Sequence, residues 1–202
     1  MFTHLWDHET LRRYPFKFEF KTRYSLSGTT ISVDHTVINR GNKPMYFSLG
    51  GHPAFNCPLY DNEMYSDYAL EFEQNETAPA FLLNSDGLVG DKKRMMLTDS
   101  NLLPLHKHLF DDDALIFKNL SSRKVSLVSR KTGRILTMHY EGFPYLGIWA
   151  KPGASFVCIE PWQGIADTAD TTQELTQKEG VMSLGSGDIH RAGYSITFYP
   201  NE

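Results

Sequence analysis

Only two cysteines, Cys57 and Cys158, occur in 202 residues. Two thiols build no disulfide framework. The N-terminal run Met1-Phe2-Thr3-His4-Leu5-Trp6-Asp7 has neither the basic start nor the apolar stretch of an export signal, so both are expected to be reduced thiols of a cytoplasmic protein. No apolar run approaches the roughly 20 residues a membrane-crossing helix needs, so no membrane partner is expected. Positive charge is not in excess: the net charge is −4 and no basic face stands out, which argues against nucleic acid as a partner. There is no phosphate-cradling glycine loop and no Gly-x-Ser-x-Gly elbow. Internal repeats, low-complexity tracts and linkers are lacking too. What is abundant is aromatic surface, 13% of the chain with 13 Phe and 10 Tyr, and that enrichment favours strands and ligand-facing platforms over helices.

Strand patterns fill the chain. Tyr14–Lys21 alternates apolar and polar residues, with Phe16, Phe18 and Phe20 on one face. Ser27-Gly28 marks a turn, and Thr30–Asn39 alternates again, so the two runs read as an antiparallel hairpin. Met45–Leu49 reads as a third strand running into Gly50-Gly51-His52-Pro53. Further strands are expected at Tyr68–Glu73, Ala114–Phe117, Lys124–Ser129, Arg134–Tyr140, Tyr145–Trp149, Ser155–Ile159 and Tyr194–Tyr199. Residues 84–113 read as polar and irregular. Residues 163–188 read as a long polar segment with at most a helical turn near Asp170–Leu175. One all-β domain over residues 1–202 accounts for this pattern, as a large antiparallel β-sandwich or a barrel-like double sheet.

Two strand ends carry chemistry. The apolar run Ser155-Phe156-Val157-Cys158-Ile159 closes on Glu160-Pro161-Trp162. A buried carboxylate costs several kcal/mol unless it is paired or hydrogen-bonded, so its placement there calls for a reason. Pro161 is expected to stop the ladder, and Trp162 to offer a flat apolar face. In Gly50-Gly51-His52-Pro53-Ala54-Phe55 the glycines allow close backbone approach or positive φ, and His52 leaves its strand on a stiffened turn. Each residue alone reads more readily as a group bonded to a neighbouring loop. Together, His52 and Glu160 are candidates for a general acid and general base, because imidazole titrates near neutrality and burial raises a Glu toward it. Asp111-Asp112-Asp113 is a candidate for holding sugar hydroxyls, since carboxylates accept only and are charged; solvated surface is the plainer reading. Trp149 and Trp162 are candidate sugar-facing walls. His106-Lys107-His108 reads as a surface pair, and no metal site is expected.

Tyr14-Pro15-Phe16, Gly50-Gly51-His52-Pro53-Ala54-Phe55, Phe110-Asp111-Asp112-Asp113-Ala114-Leu115-Ile116-Phe117, Leu146-Gly147-Ile148-Trp149 and Phe156-Val157-Cys158-Ile159-Glu160-Pro161-Trp162 occur in the order seen in the aldose 1-epimerase (galactose mutarotase) family. From about Glu9 onward the chain resembles that family, and most of all its LacX-like branch. The resemblance implies a large antiparallel β-sandwich and a small-molecule aldose as substrate. It implies interconversion of the sugar's α and β anomers without metal or organic cofactor. It makes Glu160 the base on the anomeric hydroxyl, His52 the acid on the ring oxygen, and Asp113, with Asp111 second, a sugar-binding residue.

One departure from the family pattern shapes the expectation. Family members carry leading strands with a His-Gly-x-x-Arg-like motif, and no His-Gly pair occurs here. The chain therefore resembles the C-terminal part of the family fold, incomplete at its N-terminal strands, and little turnover is expected from it alone. A carbohydrate-binding protein without turnover, or an inactive fragment, is the competing reading.

Overall fold

The computed structural model describes residues 1–200. Among them, in chain order, lie β1 (Phe2–Leu5), a single helical turn α1 (Thr10–Arg13), β2 (Phe18–Ser27), β3 (Thr30–Asn39), β4 (Met45–Phe47), β5 (Leu49–Gly50), β6 (Ala54–Asn56), β7 (Tyr68–Leu83), β8 (Val89–Pro104), β9 (Leu115–Lys118), β10 (Lys124–Ser129), β11 (Gly133–His139), β12 (Tyr145–Trp149), β13 (Phe156–Gln163), β14 (Met182–Leu184) and β15 (Ile189–Phe198). Short 3-10 turns sit at Tyr65–Asp67 and Leu175–Gln177. None of the described helices is long and apolar enough to cross a membrane.

A 13-stranded antiparallel sheet runs β1-β2-β3-β15-β11-β10-β7-β9-β12-β13-β5, with β6 added to β13 and β8 added to β7; β4 and β14 form a separate pair. The hairpin between β2 and β3 closes Ser27 on Thr30 across a two-residue loop whose first residue, Gly28, holds φ 57. Glycine takes that conformation without steric cost, and the turn matches the twist of the flanking strands. Val33 of β3 and Tyr194 and Ile196 of β15 share one core with Leu146, Ile148, Val157 and Ile159 of β12 and β13. Those strands stand far apart along the sheet, so the sheet folds over on itself and its two halves pack face to face. A second cluster joins Val37, Met45, Phe47 and Leu184 to Phe16, Phe18 and Phe20, the aromatic face the alternation predicts.

Several expectations need correction. The region read as irregular contains β8, 16 residues long and paired along β7, itself 16 residues. The alternation in β8 is hidden because half of its side chains face water, few are buried, and its register shifts at four places along β7. A charged, bulged edge strand carries little apolar signal. The run Met45–Leu49 is two strands in different sheets, β4 and β5, with Ser48 between them. The polar segment after Trp162 hides β14, and β1 precedes the first expected strand.

The turn before β7 is fastened by buried charge. Ser129 and Thr132 donate to Glu63 at 2.6 and 2.9 Å, and Tyr68 donates to the same carboxylate. Asp67 accepts the Met64 N–H at 2.8 Å and pairs with Lys131 at 2.8 Å and with Arg130. The Lys131 ammonium, then the Met64 amide and the Arg130 guanidinium, pull its carboxyl down from 3.8 to about 2. A depressed folded-state pKa stabilises above the unfolded value, and that stabilisation is lost as pH falls through the folded value. Asp67→Asn is therefore expected to lower the urea midpoint at pH 7, and the gap to the parent should close between about pH 4 and pH 2. A gap independent of pH would show that the charge contributes nothing.

Candidate active site

β13 presents its side chains in alternation. Val157 and Ile159 point into the core. Cys158 and Glu160, two residues apart, share the opposite face, and Glu160 pairs with Gly147 of β12. His52 stands between β5 and β6 and is fixed on both sides. The Gly51 N–H donates to the Pro161 carbonyl at 2.9 Å, and the Ile159 N–H donates to the Pro53 carbonyl at 3.3 Å. These two backbone bonds set the imidazole beside the carboxylate, with His52 Nδ1 3.4 Å from Glu160 Oε1. The histidine side chain is 65% exposed and the glutamate side chain 5%. One partner is anchored and the other can swing.

Burial pushes the Glu160 carboxyl up from 4.5 to about 7, against the pull of hydrogen bonds from the Trp162 and Cys158 side chains. The tryptophan lies in a slot only glycines could leave open. A Cβ on Gly147 would stand 2.4 Å from the Trp162 ring, and one on Gly50 would stand 2.6 Å from it. The close approach expected of the Gly50-Gly51 pair is found, with the Tyr194 ring 2.6 Å from a Cβ on Gly51. Pro161 does not end the strand: it pairs with Leu146, and β13 continues to Gln163. A missing donor costs one ladder bond, while the carbonyl still accepts from Gly51.

His52, Glu160 and Trp162 line an open cavity of about 450 Å³ with Ser48, Leu49, Gly164, Ile165 and Ala166. Trp149 meets the His52 ring edge-on at 6.3 Å. The aspartates lie outside this lining. Asp111 Oδ2 is 2.9 Å from His108 Nδ1. Asp112 pairs with Lys92 at 3.6 Å and Arg94 at 3.7 Å. Asp113, at φ 73, accepts the Ala114 N–H at 2.7 Å. It lies two residues before Leu115, whose partner Ile148 adjoins Trp149. Two features have no plain mark in the sequence, the pull of the Trp162 side chain on Glu160 and the place of Cys158 on the same face. The two-residue spacing from Cys158 to Glu160 was the signal for the second.

These features define a large folded antiparallel sheet with an imidazole–carboxylate pair in a cavity walled on one side by Trp162. The family model for aldose 1-epimerase matches residues 1–183. The plasmid and chromosomal forms of protein LacX from Lactococcus lactis subsp. lactis are each 34% identical over 193 residues, covering 94% of this chain and 64% of theirs. Among solved structures, a galactose mutarotase related enzyme from Lactobacillus acidophilus superposes with a TM-score of 0.90 at 34% identity, over 98% of this chain and 67% of that one. A galactose mutarotase-like protein from Lactobacillus casei gives 0.89 at 30% identity, over 98% and 69%. The chain belongs to the aldose 1-epimerase family and is similar to the LacX proteins within it. It spans under two thirds of the length of those LacX relatives.

Gly147→Ala is expected to drive the Trp162 ring from its slot and destabilise the fold by about 1–3 kcal/mol. Trp162→Phe removes the indole N–H, so the Glu160 carboxyl should titrate still higher than about 7. Infrared difference spectra of the carboxyl band against pH, in metal-free buffer, check this. An unchanged midpoint would mean that the indole bond does not bear on the carboxylate.

Proposed function

We propose that this chain interconverts the α and β anomers of an aldose, with Glu160 as base and His52 as acid. The observation that carries the reading is the 3.4 Å approach of an exposed imidazole to a buried carboxylate at the mouth of a cavity walled by Trp162. A sugar enters between them as the His52 ring swings out. Glu160 takes the proton of the anomeric hydroxyl, the C1–O1 bond becomes a carbonyl, the C1–O5 bond breaks, and O5 takes the proton of the His52 imidazolium. Rotation about C1–C2 presents the other face of the aldehyde. Ring closure then runs the same transfers backward, so no group is consumed. A carboxyl lifted to about 7 suits a base that must both take and return a proton near neutrality.

The family resemblance gives the sugar hydroxyls to Asp113, with Asp111 second, although neither lines the cavity, and the apolar face of the ring falls to Trp162 in the lining and to Trp149 beside His52. The residues lining the cavity include no lysine or arginine, which supports an unphosphorylated sugar. A carbohydrate-binding protein without turnover would use the same walls and leave the pair idle.

Optical-rotation decay of freshly dissolved α-glucose and α-galactose separates the two. Acceleration by the chain is expected to be weak, since no His-Gly pair is present to help hold the sugar. Glu160→Gln and His52→Asn should each lose roughly 10²- to 10⁴-fold, with sugar binding by calorimetry retained in Glu160→Gln. Binding without acceleration would establish the binding protein instead, and full activity in Glu160→Gln would remove the glutamate from the chemistry.

A further inference from the structure

The face that carries the acid–base pair carries a third donor that the reaction does not use. Cys158 is a free, buried thiol on the same side of β13 as Glu160, two residues before it. One donor atom each from His52, Cys158 and Glu160 lie within 4.8 Å of one another. Sulfur, imidazole nitrogen and carboxylate oxygen are the three donor types of zinc sites. In a tetrahedral site with bonds of about 2.0–2.3 Å, neighbouring donors stand roughly 3.3–3.8 Å apart. The His52–Glu160 distance of 3.4 Å already meets this. The remaining closure is about 1 Å at most. His52 and Glu160 line the open cavity beside Trp162, which leaves solvent as the source of a fourth ligand.

We propose that His52, Cys158 and Glu160 form a three-ligand site for a thiophilic divalent cation of the zinc class, and that an ion bound there excludes the sugar. The proposal rests on the acid–base reading for its consequence, since the ion takes both groups that ring opening needs. It does not make the ion a cofactor. Binding is written with its proton: the Cys158 thiol loses H⁺ to solvent as the sulfur–metal bond forms, and any proton on Glu160 leaves with it. A buried carboxylate and a buried thiol, both disfavoured as anions by their surroundings, gain a counter-charge together. The device follows from strand periodicity. A cysteine at any odd spacing from Glu160 would point into the core.

The test uses the full chain freed of metal by chelation and dialysis. Titration with Co²⁺ should produce a near-ultraviolet thiolate-to-cobalt absorption band saturating at one ion per chain. The band should vanish in Cys158→Ala and in Cys158→Ser, both checked for folding by near-ultraviolet circular dichroism. His52→Ala alters an exposed side chain and should weaken Co²⁺ binding roughly tenfold or more. Zn²⁺ should displace the cobalt and abolish mutarotation over the same concentration range, with chelator restoring it. No band, or a band that survives in folded Cys158→Ala, overturns the site. A saturated band with mutarotation unaffected by Zn²⁺ overturns the exclusion of sugar. The spectroscopic readout stands apart from activity. A chain with the band but no turnover keeps the metal site and refutes the mutarotase reading, whereas turnover without the band does the reverse.

Discussion

A carboxylate held away from water in the middle of a strand is the constraint on which this site depends. Glu160 is flanked in sequence by the core residues of β13 and in space by Gly147, so its charge cannot be relieved by moving. Burial of that kind favours the neutral acid. The structure opposes it with donors rather than with a fixed cation, and the balance falls near neutrality. A lysine or arginine in place of the indole would hold the carboxyl ionised and make it a poor partner for proton transfer. A wholly apolar surround would keep it protonated. Hydrogen bonds from tryptophan and cysteine are weak enough to leave the group poised.

The glycines follow from the same constraint. Trp162 can bring its N–H to Glu160 only by lying across neighbouring strands, and the positions beneath it must then lack side chains. Gly50 and Gly147 belong to β5 and β12, far apart in sequence, yet both answer to one ring. Gly51 answers to Tyr194 of β15, which brings the other half of the sheet up to the His52 turn. The site is thus fixed by backbone bonds and close contacts between strands, while the imidazole stands exposed to solvent.

Strands with clean alternation or buried β-branched runs were legible in the sequence. Thr30–Asn39, Lys124–Ser129 and Tyr145–Trp149 correspond residue for residue to β3, β10 and β12. β8 was not legible because half of its side chains face water and bulges break its period. The end of β13 was misplaced because proline was weighed by the donor it lacks rather than the carbonyl it keeps. At the site, His52 and Glu160 stood out because each follows an apolar strand and precedes a proline. Their meeting depended on β5 and β6 both flanking β13, a tertiary fact beyond any local pattern. The aspartates carried a signal of charge alone. Charge at a loop does not tell which way the loop turns, and Asp111 and Asp112 turn to His108, Lys92 and Arg94.

The placement of Trp162 gives the protein an optical consequence. An indole beside a carboxylate that titrates feels a change of one full charge close by, and its emission energy and yield respond to that field. Trp6 lies elsewhere, under Lys17, and Trp149 packs on Phe156 with ring centres 5.7 Å apart. Of the three tryptophans, Trp162 lines the cavity together with Glu160 and pulls its carboxyl down against burial. The chain therefore carries an intrinsic fluorophore beside its buried carboxylate, and the charge on that carboxylate sets the field in which the indole emits.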